Sequence, residues 1–392
     1  MTITTLANTL FWTGVTTVLY TYLGYGLLIA LISGVRKGYK VPSYQADGDL
    51  PCVTLVVAAY NEAGYIEEKI RNTLSLDYPE DKLEVLFVTD GSTDDTPDIV
   101  GRFPQFRLFH HAERGGKIHA VNRVMKSVKN PIVIFSDANT RLNSAAVRNI
   151  VRHYQHEEVG GVAGEKMISH GEKENASGAG EGLYWKYESF LKRKDSEVYS
   201  VVGAAGELFS VRRELYEAPE ENMIIEDFYL SLRIASRGYR FIYEPEAVAS
   251  ESASANVSEE WKRKVRISAG AFQAMLKLRD LLNPFRHGIL SLQYFSHRVL
   301  RWTLAPLFLP IILISNVVLA LEGGLLYSGI LAAQLLFYLT ALLGFYLRDQ
   351  KIYLRGFFVP FYFGVMNLSV YAGFFRYLRG KQSVIWEKAE RA

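Results

Sequence analysis

Glu226 and Asp227 stand side by side in Ile225-Glu226-Asp227, and a carboxylate held in such a place can accept a proton. Upstream, Asp137-Ala138-Asn139 sets two side-chain oxygens two residues apart, the donor type that hard divalent cations take. Downstream, Arg263-Lys264-Val265-Arg266 gathers cations suited to an anion or to developing negative charge. Polar clusters also occur at Tyr60-Asn61-Glu62, Thr89-Asp90-Gly91-Ser92 and Arg114-Gly115-Gly116-Lys117. Each has an ordinary alternative. Glu226-Asp227 can be an acidic helix start, Glu62 a helix cap, Lys117 a solvated helix lysine, and any one cluster a simple turn. Their order and placement decide between these readings.

The elements between the clusters alternate. Val53–Ala59, Leu83–Val88, Phe106–Phe109 and Ile132–Phe135 are β-rich runs. Glu62–Leu76, Asp94–Val100 and Lys117–Val128 have helical spacing. Alternation of this kind implies an α/β domain over residues 50–280 with a mostly parallel sheet covered by helices. Ligands of such sheets bind outside the carboxyl ends of the strands, where three of the polar clusters fall. There is no P-loop and no G-x-G-x-x-G fingerprint, so a glycine-rich phosphate cradle is not expected.

Apolar runs flank this domain. Residues 1–35 carry no charged side chain, and Leu10–Ile32 is long enough for a span of about 20 residues. It lacks the basic start and small-residue site of a signal peptide. Arg36, Lys37 and Lys40 open the linker 36–49, which places the N-terminus outside and the domain in the cytoplasm. Three further runs, Trp302–Leu321, Gly323–Leu347 and Gly356–Phe375, make a membrane region over 303–378, followed by a basic tail, 379–392. The first two runs form a hairpin about Glu322-Gly323-Gly324, with Arg348, Lys351 and Arg355 at a cytoplasmic turn. A full crossing by the last run would put Arg376, Arg379 and Lys381 outside, so a re-entrant or interfacial segment broken at Pro360 or Gly364 is preferred. Residues 284–302 carry Ile289, Leu292, Phe295, Val299 and Trp302 at helical spacing among charges, as an interfacial helix does. The net charge of +3 does not argue for nucleic acid, and the single Cys52 excludes an internal disulfide. Two sequons, at Asn175 and Asn256, fall on the cytoplasmic side of this arrangement.

On these motifs the chain resembles family 2 glycosyltransferases, the inverting GT-A-fold enzymes. In layout it is similar to their membrane-embedded members, the synthases of cellulose, hyaluronan and poly-N-acetylglucosamine. The resemblance implies that Tyr60, Glu62 and Asp90 bind the nucleotide of a nucleotide sugar, expected to be UDP-linked, and that Lys117 pairs with it. It implies that Asp137 and Asn139 hold Mg2+ or Mn2+, although Asn139 stands where the family's Asp-x-Asp has an acid. Gly203, in Val202-Gly203-Ala204-Ala205-Gly206-Glu207, would let a sugar approach the backbone. Asp227 would be the base, with Glu226 orienting the pocket and Arg266 meeting the departing diphosphate. Arg263 and Ile267 replace the Gln and Trp of the Gln-x-x-Arg-Trp motif found in processive members. Arg298-Val299-Leu300-Arg301-Trp302 has a similar spelling on the interface helix and reads as a coincidence.

The implied function is transfer of a sugar to a glycan or lipid-linked acceptor at the cell membrane, in exopolysaccharide or surface-glycan synthesis. Ile267 favours single additions over a processive synthase that feeds its own polymer through its spans. Three C-terminal membrane segments are few for a polymer channel, unless a homo-oligomer enlarges it. A third reading, from another class, is a nucleotide-sensing membrane scaffold without turnover. Asn139, Ile225 and Ile267 suit it, whereas Asp137, Asp227 and Arg266 speak against it.

Overall fold

A computed structural model describes residues 2–36, 38–169, 176–252, 257–348, 355–380 and 382. Lys37, Lys351, Lys381, residues 383–392 and the sequon asparagines Asn175 and Asn256 lie outside the described residues.

Among the described residues eight strands form one sheet in the order β3-β2-β1-β4-β7-β6-β8-β5. They are β1 Val53–Ala59, β2 Leu83–Asp90, β3 Arg107–His111, β4 Ile132–Asp137, β5 Arg141–Leu142, β6 Val159–Ser169, β7 Leu208–Arg212 and β8 Arg240–Ser252. The half formed by β1 to β4 is parallel throughout. Both of its faces are covered. Leu55 and Val57 join one apolar core with Ile66, Ile70 and Ile150, while Val56 joins another with Val121, Val124 and Phe209. Each such side chain contributes about 1.5–3 kcal/mol by leaving water.

The other half departs from the expected parallel pattern. β7 pairs antiparallel with both β4 and β6, and β5 antiparallel with β8; only β6 and β8 run parallel. The helix Ala176–Val198 lies between β6 and β7 in the chain. It ties the sheet to the N-terminal apolar helix: Ser189 donates to Glu165 of β6 and Ser196 accepts from the Tyr243 N–H of β8, while Leu191 and Val198 pack against Tyr25 and Ile29.

Among the described residues four helices, Ile3–Val35, Leu304–Leu321, Leu325–Leu347 and Gly356–Leu378, are long and apolar enough to cross a membrane. The first contains a π turn at Tyr20–Gly24, and a second π turn spans Phe295–Val299. The two face each other, with the Tyr20 and Ser296 hydroxyls 2.9 Å apart. Helix Arg355–Leu378 is unbroken at Pro360 and Gly364, contrary to expectation. Pro360 lies inside the helix and forgoes the bond to the Gly356 carbonyl, yet the helix continues through it.

That helix also lies lengthwise along Val257–Lys277. Phe358 and Phe361 pack on Val257, the Tyr362 hydroxyl donates to Glu260 at 3.4 Å, Gly373 abuts Ser268 and Ala269, and Phe374 meets Phe272 at 5.0 Å.

Segment 284–302 also differs from its expected form, because its charged side faces inward. His297 sits between Asp195 at 2.6 Å and Glu188 at 3.2 Å. Arg301 bonds Glu188 at 2.9 Å, and Arg298 pairs with Glu188 and donates to the Val202 carbonyl at 2.9 Å. Glu188 and Asp195 on the helix Ala176–Val198 draw these cations in, since buried charges need partners.

Candidate active site

The carboxyl ends of β1, β2 and β4 open on a cavity of about 1210 Å³. Of the residues singled out in the sequence, Tyr60, Glu62, Asp90, Lys117, Asp137, Asn139, Glu226, Asp227, Arg263 and Arg266 line it. Gly203 lies behind the wall. Its φ is +96°, and a Cβ there would meet the Phe228 ring at 2.3 Å. Glycine at this position therefore lets Phe228, and Asp227 beside it, seat closely.

The loops after β1 and β2 are tied together. Asn61, at φ 52°, accepts from the Thr93 N–H at 2.8 Å, and its own N–H donates to Ser92 at 3.2 Å. The Arg114 guanidinium stacks 3.6 Å from the Tyr60 ring centroid, a partnership with no signal in the sequence. Asp90 holds the next loop: its Oδ2 accepts from the N–H groups of Gly115 at 2.9 Å and Gly116 at 2.6 Å. One oxygen of this carboxylate is thus engaged inside the protein, setting the turn that launches Lys117.

Lys117 is the electrostatic centre. Its ammonium lies 2.7 Å from Asp137 and 3.2 Å from Glu226. Burial works against its charge, but the carboxylates outweigh burial and hold it protonated above the ordinary lysine range. Asp137 is pushed up by burial and pulled back by Lys117.

The turn after Asp137 is pinned by Lys69, a buried lysine missed in the sequence because a lysine on a helix face looks solvated. Its ammonium donates to Ser136 Oγ at 2.7 Å and to the Thr140 carbonyl at 2.9 Å. Burial lowers its pKa to about 7.

Asp227 lies in the first turn of helix Glu226–Ser236. Burial, then the charge of Glu226, raises its pKa to about 7, against the opposing pull of Lys117. Gly206 gives the site its close wall, since a Cβ there would stand 3.4 Å from both Asp227 Oδ2 and Lys117 Nζ. Burial holds the Arg266 guanidinium below its ordinary range; Glu226, Asp227 and Asp137 oppose this, and the charge of Arg263 adds to it. Arg263 is held by Glu260 through Nε at 2.8 Å and Nη2 at 3.1 Å.

Arg298, Arg301 and Trp302 line the same cavity as Ile267 and Arg266. Trp302 stands edge to face with Phe228 at 5.2 Å. The second Arg-x-x-Arg-Trp spelling therefore belongs to the cavity wall, which a helix read as facing outward concealed.

Among the described residues no group of three or more His, Cys, Asp or Glu side chains could hold a metal. Asp137 and Asn139 offer one carboxylate and one amide oxygen to the cavity. That set fits a hard cation that arrives with phosphate oxygens and water, as Mg2+ commonly does, and does not fit a closed protein cage.

Residues 54–218 match the model for glycosyl transferase family 2. Over 248 residues the chain is 26% identical to a poly-beta-1,6-N-acetyl-D-glucosamine synthase of Staphylococcus aureus, a match covering 61% of this chain and 58% of that protein. Over 255 residues it is 26% identical to a beta-monoglucosyldiacylglycerol synthase of Nostoc, covering 62% of this chain and 54% of that one. The chain thus spans a little over half the length of these curated relatives. A solved mannosyltransferase of Pyrobaculum calidifontis, in complex with GDP-Man and Mn2+, shares the fold with a TM-score of 0.73 at 24% identity, over 97% of this chain and 100% of that one.

Proposed function

We propose that the chain is an inverting membrane glycosyltransferase, a reading supported by the match of residues 54–218 to the glycosyl transferase family 2 model. It moves a sugar from a nucleotide sugar to a glycan or lipid-linked acceptor. The observation that carries this reading is one cavity holding Asp227, with its pKa at about 7, together with Lys117, Asp137, Asn139 and Arg266.

Asp227 takes the proton from an acceptor hydroxyl. The acceptor oxygen then bonds to the anomeric carbon on the face opposite the diphosphate, the bond from that carbon to the phosphate oxygen breaks, and the configuration inverts. Arg266 and Lys117 meet the charge that leaves with the diphosphate. A divalent cation on Asp137 and Asn139 would add positive charge at that diphosphate. Glu226 holds Lys117 and keeps the Asp227 carboxylate basic. Tyr60, Glu62, Asp90 and Arg114 form the nucleotide end. Ile267 favours single additions.

Helix Arg355–Leu378 is placed in the membrane interface rather than across it. Its neighbour Val257–Lys277 carries Glu259, Glu260, Lys262, Arg263, Lys264 and Arg266, which belong in water or in the site. This arrangement returns Arg376 and Arg379 to the side of the catalytic domain, which is the cytoplasm by the positive-inside tendency.

A panel of UDP- and GDP-sugars, assayed for Mn2+-dependent transfer or hydrolysis by the purified chain, tests the reading. Turnover of one donor is expected. Absence of both binding and turnover across the panel would contradict it and favour the scaffold reading only if nucleotide alone still binds.

A further inference from the structure

The cavity does not end at the catalytic carboxylates. Its wall also includes Trp185, Lys192 and Arg301 and, from the apolar helices, Tyr22, Phe363, Met366 and Val370. Lys192 is the unusual residue of this end. It is 2% exposed, and among the described residues its ammonium has neither a hydrogen bond nor an ion pair. It stands 5.3 Å from the centre of the Trp185 ring. Burial lowers its pKa, and the nearby carboxylates that oppose this are committed elsewhere. Glu188 is shared by Arg298, Arg301 and His297; Glu165 accepts from Tyr243 and Ser189; Glu207 pairs with Lys166. Arg301 adds two buried donors, Nε and Nη2, that have no hydrogen-bond partner. An unpaired ammonium and an open guanidinium edge, both out of water, are costly unless an anion completes them.

We propose that this end of the cavity binds the phosphate of a membrane-lipid acceptor. Lys192 and Arg301 are its ligands, and the hydrocarbon chain lies against Tyr22, Phe363, Met366 and Val370. The proposal rests on the glycosyltransferase reading and specifies its acceptor. The acceptor carries a hydroxyl for Asp227, a phosphate set apart from that hydroxyl, and a chain that reaches the bilayer. The phosphate is not the nucleophile, because an anionic oxygen needs no base. A guanidinium edge and an ammonium together suit a phosphate's oxygens, and the apolar wall points to a lipid rather than a free anion as its source.

The test uses the full chain in detergent and four probes: farnesyl phosphate, farnesol, inorganic phosphate and UDP, with affinities measured by calorimetry. Farnesyl phosphate should bind about tenfold or more tighter than farnesol. Lys192→Met should bring it to within about twofold of farnesol, Lys192→Arg should retain the preference, and UDP affinity should be unchanged in both variants. Equal binding of farnesyl phosphate and farnesol by the parent protein would overturn the proposal, whatever the variants do. Inorganic phosphate binding as tightly as farnesyl phosphate would overturn the lipid assignment. Loss of UDP binding in Lys192→Met would reassign the cluster to the donor site. Failure of every nucleotide sugar to bind or turn over, with the phosphate preference intact, would instead refute the glycosyltransferase reading and leave the lipid-phosphate site standing.

Discussion

The pH dependence of transfer follows directly from the surroundings of Asp227. Its carboxyl titrates at about 7 because burial, and then the Glu226 charge, disfavour ionisation. A base acts only when deprotonated, so kcat/KM must rise as pH rises through that value. For one group titrating near 7, the ionised share goes from about one tenth at pH 6 to about nine tenths at pH 8, a roughly tenfold rise. Glu226→Gln removes the second cause and leaves the first. The limb should move toward acid by on the order of one pH unit and stay above the usual aspartate value of about 3.9. Lys117 remains charged throughout this range, and Lys69, which burial lowers to about 7, keeps its donors to Ser136 and Thr140 as a neutral amine, so neither adds a limb. The assay is initial-rate transfer with saturating Mn2+ from about pH 5.5 to 9, on the parent chain and the variant. A flat parent profile across pH 6 to 8, or a limb that Glu226→Gln leaves in place, would refute the reasoning.

Other perturbations test other parts of the site. Gly203→Ala forces a Cβ into Phe228 at a positive φ; it should lower stability by about 1–3 kcal/mol and reduce kcat, as thermal unfolding and initial rates would report. Lys69→Met removes the donors to Ser136 and Thr140, costing about 1–3 kcal/mol and raising the Mn2+ concentration for half-maximal transfer. Asn139→Asp supplies a second carboxylate beside Asp137 and should lower that same Mn2+ requirement. Sizing of labelled product from the purified chain should give short, singly extended acceptors, and a long polymer would show that Ile267 does not prevent processive addition.

The parallel half of the sheet could be read from the sequence because β1, β2 and β4 are short apolar runs ending in polar turns. The antiparallel half could not, because Leu208–Arg212 is a short apolar run whose residue pattern carries no mark of strand direction. Glu62, Asp90, Asp137, Glu226 and Asp227 were legible because they sit at strand ends or a helix start, whereas Glu188, inside helix Ala176–Val198 and also on the cavity wall, was not. Lys69 and Lys192 were not, because a buried lysine and a solvated one look alike on a helical face. Arg298 and Arg301 were placed on the wrong side. Their apolar neighbours gave a clear helical stripe, but the carboxylates that pull the guanidinium groups inward lie about a hundred positions upstream.

The central claim is that Asp227 is the base of a sugar transfer. The most direct measurement compares Asp227→Asn with the parent chain for nucleotide affinity and for transfer from the preferred nucleotide sugar at pH 8. The account predicts nucleotide affinity within about twofold of the parent and a transfer rate lower by about 10²–10⁴. Transfer by Asp227→Asn at close to the parent rate, with the nucleotide bound normally, would contradict it.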